Sequence, residues 1–140
     1  MTGPGQDPGQ ARTQSIAASD DVVRARQLVR NLAVECGLSL VDQTKLVTAA
    51  SELARNTLSY GGGGTMSAQL LNRGERRGVW LSFTDEGPGI PDIELALRDG
   101  WSSGNGMGLG LSGARRLVDE FDLRTVVDEG TTVTVVKWAR

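Results

Sequence analysis

The sequence contains no histidine and a single cysteine. Without histidine, the chain cannot form a Ser-His-Asp or Cys-His nucleophilic site, an imidazole metal site or a phosphohistidine relay of its own. One cysteine, Cys36, allows neither an internal disulfide nor a thiolate zinc cluster. Cys36 comes at the end of a helical pattern, directly before Gly37, so we interpret it as a small buried apolar side chain and not as a reactive thiol.

Excess charge and long apolar runs are also missing. The 140 residues carry 15 Lys plus Arg against 17 Asp plus Glu, a net charge of -2. This balance argues against a nucleic-acid partner, which usually requires a basic excess. No apolar run is long enough to span a bilayer and no secretory leader opens the chain, so we expect a cytoplasmic protein without a membrane partner.

The chain length predicts one domain, preceded by a short tail. Residues 1–12 (MTGPGQDPGQAR) are rich in Gly, Pro and Gln and have almost nothing to bury. We expect them to be disordered, and residues 13–140 to form a single domain.

Hydrophobic periodicity predicts the first half of the fold. A short edge strand is expected over residues 13–18. Apolar residues at three- and four-residue spacing then predict a helix with Asp20 or Asp21 as its N-cap. A second helix is expected from about Leu40 to Ser59, where a run of glycines ends it.

The second half changes to period 2. Two alternating segments on either side of the polar stretch 72–78 predict a β-hairpin. A short helix is expected over residues 91–98, with proline in its first turn, and a longer one over 111–121. Strands over 123–128 and 131–138 complete the order β-α-α-β-β-α-loop-α-β-β. Because strands mostly adjoin strands, we predict an α+β sandwich with a largely antiparallel, mixed sheet and helices on one face.

Glu52 and Asn56 lie one turn apart on the same side of the second predicted helix. They flank its apolar face, where a groove between the helix and a loop would lie. Taken alone, the pair fits a solvated polar edge better than a site.

A carboxylate followed by glycines comes directly after a predicted strand. In the segment DEGPGIP, Asp85 ends the strand, and Gly87 and Gly89 permit a close approach that side chains would block. A carboxylate held there can accept a hydrogen bond from an exocyclic amine such as that of adenine. A plain tight turn explains the same residues equally well.

The glycine-rich segment GNGMGLGLS, residues 104–112, leads into an amphipathic helix. Free amides and the positive end of a helix favour an anion, usually phosphate. The segment is not the dinucleotide fingerprint, because its spacing differs and no apolar strand precedes it. Nor is it a P-loop, which needs a lysine after its last glycine; the lysines of this chain are Lys45 and Lys137.

Together these motifs resemble the Bergerat-fold (GHKL) ATPase and kinase family. ExxxN at residues 52–56 looks like its N box, DEGPG at 85–89 its first glycine box and GMGLG at 106–110 its second. GTTV at 130–133 resembles the late threonine site near the adenine. The motifs come in the family's order and the resemblance covers about residues 17–138, so it implies a Bergerat-type two-layer sandwich, a histidine-kinase-like ATPase domain.

Within that family, three stretches are similar to the small bacterial serine/threonine kinases of partner switching: residues 39–64, 85–111 and 113–121. The related anti-sigma kinases usually carry a histidine after the N box, where this chain has Tyr60 and glycines. This difference favours the partner-switching kinases.

The resemblance implies roles for individual residues. Asn56 would be an oxygen ligand of Mg²⁺, Glu52 the general base, and Asp85 the acceptor for the adenine amine. Backbone amides of the second glycine box would hold the phosphates of ATP. The remaining residues that the resemblance places in the ATP site are Gly87, Gly89, Ile90, Gly106, Met107, Gly108, Leu109, Gly110, Leu111 and Thr132.

The resemblance also implies partners. The acceptor would be a Ser or Thr of a STAS-domain protein, an antagonist or a scaffold, in stress signalling, with a downstream effector such as a phosphatase. Two alternatives of the same fold stay open, an anti-sigma factor and a non-catalytic binding module gated by nucleotide. A detached histidine-kinase domain is less favoured, because its phosphoacceptor histidine would have to lie on another chain.

Overall fold

A computed structural model describes residues 11–98 and 110–140. Over these residues the chain forms five strands and four helices, in the order predicted from the periodicity. Their bounds are β1 Arg12–Ile16, α1 Ser19–Cys36, α2 Leu40–Ser59, β2 Gly64–Arg73, β3 Arg76–Asp85, α3 Ile93–Ala96, α4 Leu111–Leu117, β4 Glu120–Val126 and β5 Gly130–Trp138. The predicted tail falls almost entirely outside the described residues, although Arg12, assigned to it, begins β1.

The strands form one sheet in the order β1-β2-β3-β5-β4, with β1 at the predicted edge. Every neighbouring pair of the described strands is antiparallel, so the sheet is antiparallel and not mixed. The β2–β3 hairpin turns on Gly74 and Glu75 alone, because both strands continue into the polar stretch predicted as a turn. In this register Asp85, the last residue of β3, lies between Gly64 and Thr131.

The main core lies between α1, α2 and one face of the sheet. Alternate residues of β2, β3 and β5 point into it, and Phe83 is the largest fully buried side chain. Burying each large apolar side chain of this kind contributes about 1.5–3 kcal/mol, and this burial fixes which face of each strand meets the helices. The opposite face carries a smaller cluster around Trp80 and Trp138.

The ends of α1 differ in part from the prediction. The N-cap is Ala18 and not Asp20 or Asp21, because the helix begins earlier in the sequence. Asp21 serves instead as an acceptor, and its Oδ2 receives the amides of Ala17 at 2.9 Å and Ala18 at 3.1 Å. The hydrogen bond from Ala17 is the main reason why the pKa of Asp21 is lowered.

At the other end of α1, Gly37 takes the left-handed conformation with φ 87°. Its amide donates to Val34 and the next amide, of Leu38, donates to Ala33, which is the Schellman arrangement expected of a glycine at this position. Cys36 is buried as predicted, and burial raises the pKa of its thiol.

Both predicted helices of the second half are shorter than expected. α3 begins after Asp92, whose carboxylate accepts the amide of Leu95 at 3.0 Å, so Pro91 precedes the helix and does not lie in its first turn. α4 ends at Leu117 because Val118 is extended, with φ -120° and ψ 167°. Phe121, expected on that helix, lies on β4 and packs against the core from there.

An ion cluster joins the start of α2 to the end of β5. Lys137 Nζ lies 3.6 Å from Asp42 Oδ1 and 3.8 Å from Asp119 Oδ1, and the lysine side chain is only 5% exposed. Asp119 also accepts the backbone amide of Trp138 at 2.7 Å. Within residues 11–98 and 110–140, no helix is both long and apolar enough to cross a membrane.

Candidate functional site

A pocket opens between α2, the end of β3 and the start of α4. Four of the predicted site residues, Asn56, Asp85, Ile90 and Leu111, line it together. Most of the other lining side chains are apolar, and the remaining wall consists of Leu53, Thr57, Tyr60, Phe83, Thr131 and Val133. An apolar slot with a few polar groups is the usual form of a small-molecule site.

Asp85 is the polar group at the end of the buried strand. It is half-buried, and its Oδ1 accepts the amide of Gly87 at 2.9 Å. Burial raises the pKa of Asp85, and the backbone amides of Gly87 and Thr131 oppose that shift. The carboxylate is therefore held in place by the backbone, and it can accept a hydrogen bond from a ligand in the pocket.

Gly61 makes room for that carboxylate. A Cβ built on Gly61 would lie 2.4 Å from Cγ of Asp85, and one built on Gly87 would lie 2.7 Å from Cα of Gly61. From the sequence alone, the glycines after α2 are expected only to end the helix. A run of glycines directly after a helix was the available signal, because close backbone approach is the other reason to use glycine.

The turn after Asp85 is fixed by contacts from two directions. The hydroxyl of Tyr60 donates to the carbonyl of Gly89 at 3.0 Å, and the amide of Ile90 donates to Oγ1 of Thr125 at 2.8 Å. Gly89 takes φ 76°, and a Cβ on it would lie 2.5 Å from the carbonyl oxygen of Val126. Hydrogen bonds and close packing within the protein therefore fix the position of this wall of the pocket.

Thr132, which the resemblance places in the ATP site, does not line this pocket. Its Oγ1 lies 3.2 Å from Oγ1 of Thr84 on the opposite face of the sheet. Side chains alternate along a strand, and Thr131, the register partner of Asp85, is the one that faces inward. Oγ1 of Thr131 lies 2.9 Å from Oγ1 of Thr125, which connects it to the turn that carries Ile90.

Glu52 lies beside the pocket and is not part of its wall. Its Oε2 lies 2.8 Å from Nη1 of Arg55, and its side chain is 42% exposed. Gly110, which has φ 66°, packs directly against it: a Cβ there would lie 2.6 Å from Glu52 Oε1. The last glycine of the second glycine-rich segment is therefore next to Glu52, and Asn56 is one turn further along the same helix.

The rest of that segment, Gly106, Met107, Gly108 and Leu109, lies outside the described residues. In the described part of the chain, no group of three or more acidic, Cys or His side chains is arranged to hold a metal. Asn56, one turn after Glu52 on α2, lines the pocket and has a side-chain oxygen that could bind a metal. One such donor is compatible with Mg²⁺, which keeps several waters and takes most of its other ligands from phosphates.

Residues 41–139 match the family model described as histidine kinase-, DNA gyrase B- and HSP90-like ATPase. The chain belongs to this ATPase family. This chain is 48% identical to serine/threonine-protein kinase RsbT of Bacillus subtilis strain 168 over 121 residues. The match covers 86% of this chain and 90% of that protein. The expected membership of this family is therefore confirmed.

Solved structures share the ATPase fold. A structure of RsbU and RsbW domains from Mycobacterium tuberculosis superposes with a TM-score of 0.67 at 23% identity; the match covers 95% of this chain but 34% of that one. The mycobacterial sensor histidine kinase MprB gives a TM-score of 0.54 at 21% identity and covers 94% of this chain and 99% of that one. The identities are low, so these structures support the α+β fold and not a particular substrate.

Proposed function

We propose that the chain is an ATP-dependent serine/threonine protein kinase that phosphorylates a STAS-domain protein in bacterial partner switching and stress signalling. The observation that carries the proposal is the shared pocket of Asn56 and Asp85 with Glu52 at its rim. The 48% identity to a serine/threonine-protein kinase supports the choice of acceptor chemistry. We place the protein in the cytoplasm, where ATP and such a partner are available.

ATP enters with its adenine in the apolar part of the pocket. There the carboxylate of Asp85 accepts a hydrogen bond from the exocyclic amine, and Thr131 lies beside it on the neighbouring strand. Ile90 and Leu111 contribute apolar surface to the same slot. A side chain at Gly61 would displace the carboxylate, and one at Gly87 would meet the backbone of Gly61.

Phosphoryl transfer takes place on the Glu52 side. The hydroxyl oxygen of the acceptor bonds to the γ-phosphorus, the bond between that phosphorus and the bridging oxygen breaks, and ADP leaves. The carboxylate of Glu52 takes the hydroxyl proton, as expected of a general base placed within reach of the nucleophile. Asn56 would hold Mg²⁺, and the metal, when bound, would supply positive charge against the phosphates.

The test is transfer of phosphate from γ-labelled ATP to purified STAS-domain proteins. Wild type is compared with Glu52→Gln and with Glu35→Gln, a control that changes an exposed glutamate of α1. We expect Glu52→Gln to keep its ATP affinity and to lose about 10²–10⁴-fold in transfer rate, the usual contribution of a general base. The control should transfer at the wild-type rate.

Two results would count against the proposal. If Glu52→Gln transfers phosphate normally, Glu52 is only a residue of the helix edge. If the wild-type protein binds both ATP and a STAS-domain protein but transfers nothing, the chain is the nucleotide-gated binding module considered above.

A further inference from the structure

A groove on the helical side of the molecule runs between α1 and α2 and ends at Glu52. α1 contributes Arg26 and Arg30, which are one turn apart, and α2 contributes Arg55 beside Glu52. The groove is completed by the α2 residues Thr44, Val47, Thr48 and Ser51. Its lining is distinct from that of the pocket that holds Asp85.

We infer that this groove docks an acidic segment of the phosphoacceptor protein and so delivers the acceptor hydroxyl to Glu52. The inference rests on the proposed kinase function and adds to it a docking surface and the charge of the segment that binds there.

The first argument is charge. Three guanidinium groups and one carboxylate line the groove, in a chain whose net charge is -2. Arg55 pairs with Glu52, but neither Arg26 nor Arg30 forms an ion pair within residues 11–98 and 110–140. Arg24, on another side of the same helix, does pair, with Asp21 at 3.1 Å. Arginines left without a carboxylate partner are suited to a carboxylate on another molecule, because the guanidinium group binds it through two parallel hydrogen bonds.

The second argument is continuity with the reacting groups. Glu52 closes one end of the groove, and its other side contacts Gly110 at the rim of the nucleotide pocket. A segment lying along the groove therefore ends at the general base, next to the rim of the nucleotide pocket. The exposed hydroxyl of Thr48 offers a hydrogen bond to its backbone without selecting a side chain, and that of Thr44, which donates to the carbonyl of Leu40 at 3.0 Å, can accept one.

The experiment compares two double variants that remove the same charge. Arg26→Ala with Arg30→Ala removes the two groove arginines that form no ion pair with another described residue, and Arg24→Ala with Arg124→Ala removes two arginines elsewhere. Three quantities are measured for each: the KM for a STAS-domain acceptor, the affinity for ATP, and the Kd of a fluorescein-labelled peptide with one serine between two runs of four glutamates. Peptide binding does not depend on catalysis, so it reports on the groove even if no transfer is seen.

We expect the groove variant to weaken peptide binding and raise the acceptor KM by about tenfold, the effect of losing two arginine–carboxylate contacts. The kcat at saturating acceptor and the ATP affinity should change by less than about twofold, and added salt should reduce the difference from wild type. The control variant should behave like wild type in all three measurements.

Three results would overturn the inference. The peptide fails to bind wild type, both double variants weaken it equally, or the groove variant loses ATP affinity, which would assign the arginines to the triphosphate. Absence of phosphate transfer by wild type, with peptide binding that still depends on Arg26 and Arg30, would instead count against the kinase function alone.

Discussion

Gly61, two residues after the end of α2, lies against Asp85, the last residue of β3. A Cβ at Gly61 would lie 2.4 Å from Cγ and 2.5 Å from Oδ2 of Asp85, closer than any real contact of that kind. Gly61 does not have the left-handed φ of its neighbours Gly62 and Gly63. A side chain at this position is therefore opposed by the carboxylate and not by backbone strain.

We predict that Gly61→Ala lowers ATP affinity by about tenfold or more, because Asp85 must move away from the position in which it faces the pocket. The matched control is Gly113→Ala on α4, where an added Cβ meets nothing within 4 Å. The control should bind ATP normally and gain about 0.5–1 kcal/mol in stability, as alanine usually does over glycine in a helix. Calorimetric titration with ATP measures the first effect and urea unfolding the second. Equal ATP affinity in the two variants would show that the position of Asp85 does not matter for binding.

Asp85→Asn tests two effects of this half-buried carboxylate, one on ATP affinity and one on the stability of the free protein. Losing a charged acceptor for the adenine amine is expected to weaken ATP binding by about ten- to hundredfold, corresponding to ~1.5–3 kcal/mol. Asp122→Asn, which changes an exposed aspartate on β4, should leave the affinity unchanged. An unaltered affinity in the Asp85 variant would remove Asp85 from the adenine site.

Although Asp85→Asn is expected to weaken ATP binding, it should stabilise the free protein relative to wild type as the pH rises. Burial raises the pKa of Asp85 in the folded state, so the folded state binds this proton more tightly than the unfolded state does. Stability from this group is therefore complete below its ordinary value of 3.8 and is lost as the pH rises through the raised pKa. We predict that the free energy of unfolding of the variant, relative to wild type, increases between pH 3 and pH 7. A difference that stays constant with pH would contradict this account.

Metal dependence tests the role of Asn56. Residues 99–110 contain no Lys or Arg, so the segment expected to cover the phosphates supplies no positive side chain. Amide dipoles at a helix end contribute only ~0.3–1 kcal/mol each when exposed. We therefore predict that chelation of Mg²⁺ weakens ATP binding at least tenfold in wild type and in Asn72→Ala, a control in the hairpin. Asn56→Ala should bind weakly with or without chelator; if chelation affects it as strongly as wild type, Asn56 is not the metal ligand.

The ion cluster around Lys137 predicts a large effect on stability far from the pocket. Lys137→Ala leaves the largely buried carboxylate of Asp42 without the lysine it faces, whereas Asp119 keeps its ion pair with Arg140. Breaking a buried pair in this way usually costs ~3–5 kcal/mol. Lys45→Ala removes an exposed lysine of α2 and should change stability by less than about 0.5 kcal/mol. Urea unfolding of the two variants gives the comparison, and equal stabilities would mean that water replaces the lysine at little cost.

The order of elements could be predicted because each segment of the chain shows one clear period. Alternating apolar residues in each segment indicated the hairpin of β2 and β3, and α2 spans Leu40–Ser59 as expected, ending before the glycine run. The placement of Asp85 at the end of a buried strand followed from the same alternation. Asn56 could be placed near it only through the family resemblance, since nothing in its spacing separates a site from a polar helix edge.

The errors occur where the outcome depends on contacts distant in sequence. Thr131 and Thr132 are chemically identical, and only pairing with Asp85 decides which one faces the pocket. Phe121 has helical spacing from Leu117, but pairing of β4 with β5 opposes helix there. Residue type favours Asp20 or Asp21 as the N-cap of α1, but the helix begins at Ser19 and its N-cap is Ala18. These outcomes depend on tertiary contacts, which a local sequence pattern does not determine.

The thiol of Cys36 can be used to measure how often α1 separates from the core. It is the only thiol in the sequence, it is 2% exposed at the end of α1, and burial raises its pKa. A thiol reagent can thus reach it only when this end of the helix separates from the core, so the rate of modification under native conditions measures how often α1 opens. Because α1 also carries Arg26 and Arg30, the same single thiol can be used to follow how occupation of the neighbouring groove alters the opening of the helix that forms it.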